Sequence, residues 1–223
     1  SMVAVLLGVL VLLFDGDAFY VHYVEVGGLH HVPPEEIYGL SGVANLHIFW
    51  VDPWKVAHDV ERDSAIATAQ VEVRWPGRSL LRVAEREPAL VWEQAGVRAW
   101  VDVQGYVMPM RADLPGLLRI VAEGTDEPVA PYSRIDLDVV GGALQLRALR
   151  PNIDVLFYRP TEGLGLTDGR GWRVYFGTGT DMPQKLLVYE TLVDAVWQDG
   201  NGAWPHLFDV GNLHAPYYRI SSG

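Results

Sequence analysis

An unbroken apolar run opens the chain: the twelve residues Val3 to Phe14 (VAVLLGVLVLLF) include no charged or hydrogen-bonding side chain. A membrane-spanning helix needs about 20 such residues. No Lys or Arg precedes the run and no small-residue cleavage site follows it; the chain meets Asp15 and Asp17 instead. This pattern does not suit a signal peptide. It reads as the tail of a truncated transmembrane helix with its junction, residues 1–17, and a buried first element of a soluble protein is the alternative. Basic residues upstream of the run would leave the remainder outside the cytoplasm.

Beyond it the polar and apolar positions alternate by element. Ala18 to Val26 (AFYVHYVEV) is aromatic and β-branched and predicts a strand ended by Gly27-Gly28. Pro33-Pro34-Glu35-Glu36 opens a short helix, with acids at the positive end of its dipole, closed by Gly39 and Gly42. Asp52-Pro53 caps and starts a second helix whose apolar face is Val56, Ala57 and Val60. Residues 66–75 alternate, with Ala67, Ala69, Val71, Val73 and Trp75 on the inner face, so Trp75 and Val73 should be buried with Val56 and Val60. Pro76-Gly77 turns the chain into a returning strand, Leu80 to Glu85, and a hairpin from Val97 to Val107 turns near Gln104-Gly105.

The second half is richer in strands. Ile153 to Arg159 and Trp172 to Phe176 are expected as strands separated by a Gly-rich turn region. Pro183 to Trp197 carries Val188, Tyr189, Leu192, Val193 and Val196 at helical spacing. Two short strands follow, His206 to Val210 and Pro216 to Ile220. Composition places a seam between modules near Leu114 to Pro131, where Pro and Gly gather. The class is α+β.

A net charge of −11 argues against a nucleic-acid binder, which would show a basic stripe. The absence of Cys excludes disulfides, thiolate metal sites and a Cys nucleophile. No G-x-S-x-G, H-E-x-x-H or Walker-type loop occurs, so no catalytic residues are assigned. Gly163-Leu164-Gly165 and Gly177-Thr178-Gly179 sit before or between strands, whereas a dinucleotide loop must open a helix. Among the seven histidines, His30 and His31 adjoin, and His22 and His47 share their module, but no usual ligand spacing recurs, so no metal and no cofactor is expected. The paired carboxylates Asp136/Asp138 and Glu85/Glu87 read as solvated strand positions. The terminal strand Tyr217-Tyr218-Arg219-Ile220 suggests a sheet edge able to take up a partner strand.

The residues Phe19 to Val26 with Gly27, then Pro34-Glu35-Glu36-Ile37, Asn45-Leu46 and Asp52, resemble the opening of the extracytoplasmic region of the FtsQ/DivIB family of bacterial cell-division proteins. Ala69 to Pro76 (AQVEVRWP) and Val83 to Trp92 (VAEREPALVW) are similar to that family's most specific signature. Val101-Asp102 with Gly105, Leu114-Pro115, and later Gly177, Lys185-Leu186-Leu187 and Phe208-Asp209-Val210 resemble its continuation. Val210-Gly211 stands where the family usually has Leu-Arg.

The resemblance implies a POTRA domain (β-α-α-β-β) at residues 18–87 and a β-rich FtsQ-type domain with a C-terminal helix at 88–223. It implies a non-enzymatic divisome scaffold in the inner membrane, its main part periplasmic, linking early and late division proteins through FtsB- and FtsL-type partners. The partner-binding residues would be Phe208, Asp209, Val210, Pro216, Tyr217, Tyr218, Arg219 and Ile220, with one of the alternating pairs Tyr217/Arg219 and Tyr218/Ile220 packed inward. Val24, Val26, Gly27 and Gly28 would face membrane-side partners. Two other readings compete. One is a POTRA protein of outer-membrane assembly or secretion, although the roughly 108 residues after Pro115 are too few for a large barrel. The other is an exported cell-wall enzyme, which would need a convergent set of titrating groups.

Overall fold

Punctuation residues set the local structure of the first half. Gly42 adopts the left-handed conformation (φ 61°) that ends helix α2 (Pro34–Ser41). Asp52 turns its carboxylate onto the N–H groups of Trp54 and Lys55, at 3.0 and 3.3 Å, and starts helix α3 (Pro53–Glu61) with Pro53 in the first turn. The computed structural model describes residues 2–15, 19–21, 23–74, 78–199 and 205–220. The chain divides into two compact units, Ser1–Arg86 and Glu87–Gly223.

The first unit begins with helix α1 (Met2–Asp15), whose residues Met2 to Gly8 are exposed. Among the described residues no helix is long and apolar enough to cross a membrane. Strand β1 (Tyr23–Gly27) lies parallel to β3 (Arg78–Glu85), which pairs antiparallel with β2 (Ile66–Arg74), giving the order β1-β3-β2. Ile37 of α2 and Val60 of α3 join Ile66, Ala69, Leu81 and Val83 in one core, so both helices cover the same sheet face. A second cluster gathers Val21, Val43, Val51 and Val56 with the half-buried Val73. Trp75 and the Pro76-Gly77 turn lie outside the described residues, as does His22.

Two details of the strand assignment change. The first strand is shorter than Ala18 to Val26, because Val21 and its neighbours pair with a loop: Val21 N–H donates to Leu46 O, and Tyr20 bridges His47. Ala67 is exposed, not internal. A register irregularity between Ile66 and Thr68 inserts an extra residue against β3 and puts Ile66 and Ala69 on the buried side.

The second unit is built on one nine-stranded sheet. Its strands are β4 (Leu90–Gln94), β5 (Val97–Val101), β6 (Val107–Pro109), β7 (Leu118–Ala122), β8 (Val155–Arg159), β9 (Gly163–Thr167), β10 (Arg173–Gly177), β11 (Pro205–Asp209) and β12 (Tyr217–Ile220). The spatial order is β12-β11-β10-β9-β8-β7-β4-β5-β6. The pairs β4–β7, β7–β8 and β10–β11 are parallel, the rest antiparallel. Parallel neighbours need a long crossover. Helix α4 (Leu137–Leu149) supplies it between β7 and β8, and α5 (Met182–Asp199) between β10 and β11. Both helices pack on one face, over Leu118, Ile120, Leu156, Leu164, Val174 and Phe176. Tyr189 and Val193 of the expected stripe are buried there, with Val188, Leu192 and Val196 beside them. On the other face Val91, Trp100 and Met108 are covered by Met110, Leu114 and Leu117.

This unit departs most from expectation. Residues 114–131 are no seam, since β7 runs through them at the middle of the sheet. Gly163 to Gly165 form part of β9, where a turn region was expected. Asp136 and Asp138 are not strand positions: Asp136 caps α4, accepting from Asp138 N–H at 2.8 Å, and Asp138 lies in the first turn. Helix α4 contains Gly141-Gly142 and requires Gly142, where a Cβ would stand 2.7 Å from the carbonyl oxygen of Gly179.

Candidate functional site

The last two strands place nearly all the residues expected to bind a partner. β12 is the outermost strand of its sheet and antiparallel to β11, with Asp209 opposite Tyr217, Phe208 opposite Tyr218 and Leu207 opposite Arg219. Its outer backbone groups face no other strand among those described. The connection from Gly211 to Ala215 is held by local bonds: Asp209 Oδ1 accepts from Gly211 N–H at 3.0 Å, and Asn212 Oδ1 from His214 N–H at 3.0 Å.

Within this pair the residues divide by role. Phe208 and Val210 are fully buried and belong to the main core. Phe208 packs against Trp172 and Tyr189, and its other neighbour is Tyr218, at 5.8 Å between ring centres. Trp172 donates to the Tyr189 hydroxyl at 2.7 Å, which donates to Asp168 at 2.8 Å; burial pushes that hydroxyl's pKa up. So a fixed, hydrogen-bonded aromatic layer supports β12. The strand itself is exposed along its whole length, with Tyr217 42 %, Tyr218 40 % and Ile220 45 % accessible. Neither alternating pair is packed fully inward, since all four residues of the strand are exposed. Tyr218 leans on Phe208, while Tyr217 donates to Asp209 Oδ2 at 3.1 Å and lies under the Arg219 guanidinium. Partial burial, then the neighbouring Asp209 carboxylate, raises the Tyr217 hydroxyl's pKa. Pro216 is half-buried before the strand.

The expected membrane-side contact is placed less openly. Val24 and Val26 pack against the core clusters of the first unit. Gly28 (φ 92°) is held so close to β3 that a Cβ would meet Val83 O at 2.0 Å. What β1 offers is its outer backbone edge, since among the described residues it pairs only with β3.

Sequence reasoning passed over a charged cluster on the sheet face opposite α4 and α5. Glu123 is gripped by Arg173 through two bonds of 2.8 and 3.0 Å and by Arg159 at 2.8 Å. The Arg173 bonds, outweighing burial and helped by Arg159, hold the carboxyl below its ordinary range. Arg173 lies 4.6 Å above Phe157 and Arg159 5.9 Å above Tyr175. The period-two spacing of Phe157/Arg159 and Arg173/Tyr175 was the available signal. Both guanidinium groups are paired with the single Glu123 carboxylate, so the cluster carries one net positive charge. Among the described residues no group of three or more His, Asp or Glu side chains could hold a metal. His47 is buried in an aromatic stack, and His31 sits 3.4 Å from Glu85.

Comparison with known proteins agrees with this architecture. Residues 19–86 match the model of the FtsQ-type POTRA domain. The cell division protein FtsQ of Chloroflexus aurantiacus is 31% identical over 183 residues, 78% of this chain and 66% of that protein. The chain belongs to the FtsQ family of cell-division proteins. FtsQ of Chloroflexus aggregans is 27% identical over 184 residues, covering 79% of this chain and 67% of its own length. FtsQ of Anaeromyxobacter is 28% identical over 213 residues, 91% of this chain and 71% of the relative. The chain thus spans about two thirds of the length of the Chloroflexus FtsQ proteins it matches. The POTRA match and the first compact unit end together at Arg86.

Proposed function

We propose that this FtsQ-family chain is a non-enzymatic scaffold of bacterial cell division that takes up a strand of an FtsB-type partner along β12. The POTRA module of residues 18–87 and the β domain of 88–223 then act as successive parts of one extracytoplasmic region, with helix α1 holding the chain at the inner membrane and an FtsL-type protein completing the complex. The observation that carries the reading is the outermost position of β12, exposed on its free side and supported behind by Phe208. Edge addition draws its affinity from backbone bonds and its selectivity from alternate side chains. Tyr217 and Arg219 would read one side of the incoming strand, Tyr218 and Ile220 the other. Phe208, Asp209 and Val210 act indirectly, by holding β12 in place. On the POTRA side, Val24 to Gly28 would present the outer edge of β1 to membrane-side partners.

The test is titration of the protein with the extracytoplasmic segment of an FtsB-type partner. An exposed aromatic at the centre of an interface contributes about 2 kcal/mol, so Tyr217→Ala should weaken binding by well over tenfold while the fold persists. Deletion of residues 216–223 should abolish it. Unchanged affinity in the deletion would remove this edge as the binding site.

A further inference from the structure

In the first unit the segment from Ile37 to Trp54 (IYGLSGVANLHIFWVDPW) contains a single Asp, Glu, Lys or Arg. That residue is Asp52, and its carboxylate is occupied with the α3 N-terminus. Ile37, Val43, Ile48 and Val51 of the segment are buried, but its largest aromatics are not. Phe49 is 48 % exposed, Trp50 72 % and Trp54 75 %. Large aromatics left in water at this density mark a surface that meets something apolar. They are not loose either. Phe49 stacks in line with His47 and Phe19, at 5.1 and 6.5 Å, and Trp54 lies flat on His58 at 5.5 Å with an interplanar angle of 2°. The Phe49 ring and the Trp54 indole are therefore preset before any partner arrives.

Chain connectivity says what that partner is. Phe19, which touches this aromatic group, follows Asp15, the last residue of apolar helix α1, by only four residues. Four residues span about 14 Å at full extension, so Phe19 stays within that reach of the helix end, with Phe49 stacked next to it. The exposed face of α1, with Val3, Val5, Leu6 and Leu7 between 57 and 67 % accessible, is itself purely apolar. Charge follows the same arrangement. Lys55 adjoins Trp54, and Arg78 pairs with Tyr23 at the start of β1, so Arg78 stands at the end of the sheet where the chain arrives from α1, beside Arg74, which is itself bound by Glu72 at 3.0 Å. Tryptophan is enriched at the membrane–water interface, and Lys and Arg favour the phosphate level of a bilayer.

We infer that Phe49, Trp50 and Trp54 form a lipid-docking collar that seats the POTRA module on the bilayer surface at the head-group level, with Lys55 and Arg78 toward the phosphates. This rests on the reading of α1 as the membrane attachment, and the experiment separates the two. The full 223-residue chain is mixed with vesicles of phosphatidylcholine and phosphatidylglycerol whose acyl chains are brominated near the head group. Flotation reports attachment, and quenching of Trp emission reports which indoles reach the lipid. The expected result is flotation of both the wild type and the Trp50→Phe/Trp54→Phe variant, with at least half of the wild-type quenching lost in the variant and an unchanged thermal midpoint. Flotation with equal quenching in the two proteins, or with none, overturns the collar and leaves the attachment standing; absence of quenching would point to a protein as the occupant. Failure to float refutes α1 as the anchor, and quenching that still depends on Trp50 and Trp54 would then uphold the collar alone. Failure of both readouts overturns both.

Discussion

Glu85 shows how one side chain can organise a loop. Its carboxylate accepts the N–H groups of His30, His31 and Val32 at 2.8 to 3.1 Å, and its side chain is only 7 % exposed. Burial alone would raise its pKa, but the bonds from Val32, His30 and His31 outweigh burial and hold it below the ordinary value. Spacing had suggested a solvated partner for Glu87; the loop that wraps it comes from more than fifty positions away, and no local pattern announces that. Glu85→Gln keeps the shape and loses the charge. It should destabilise the first unit by about 2 kcal/mol, the worth of hydrogen bonds to a charged group, as read by chemical denaturation. An unaltered midpoint would mean the loop does not depend on that charge. Asp52, by contrast, was legible as a cap because capping is local, and Asp52→Ala should cost about 1 kcal/mol in the same measurement.

At the scale of elements, those with strong local signals appear where their patterns place them: α2, α3, the β2–β3 hairpin, α5 and the terminal pair. The elements missed are β4, β7, β9 and α4. β7 and β9 are five residues each, and β7 has parallel neighbours on both sides, so its pairing partners are remote in sequence. Helix α4 holds the tandem Gly141-Gly142, and the two glycines have different reasons to be there. A Cβ on Gly142 would meet backbone at 2.7 Å, whereas on Gly141 it would meet only the Thr180 methyl at 3.6 Å. Gly142→Ala should therefore destabilise the second unit, by about 1–3 kcal/mol as overpacking does. Gly141→Ala should stabilise it, by up to about 1 kcal/mol of helix propensity. Equal effects in a urea titration of the two variants would show that close approach to the Gly179 carbonyl is not what selects glycine.

For the whole molecule, the charge balance and the depressed, partly buried carboxylates Glu85 and Glu123 set the response to pH. Glu85 and Glu123 both have lowered pKa values in the folded chain. Such groups contribute stability that is present above the unfolded carboxylate value of about 4.3 and lost as pH falls through the folded one. The thermal midpoint should thus hold from neutral pH to about 5 and fall below about 4.3, and Glu85→Gln should flatten that acid limb. An isoelectric point near 5.0 places minimal net charge just above this window, so turbidity should peak there. The sequence by itself determined the family, the POTRA order of elements, the acidic character and the outlying terminal strand, because capping, alternation, turn chemistry and motif order act between near neighbours. Only the tertiary structure decided that Phe208 and Val210 are core, that Tyr217, Tyr218, Arg219 and Ile220 all remain exposed, and that residues 114–131 thread a sheet. Exposure depends on which strand stops the sheet, and pairing depends on strands brought together by long crossovers, neither of which is written in the spacing of adjacent residues.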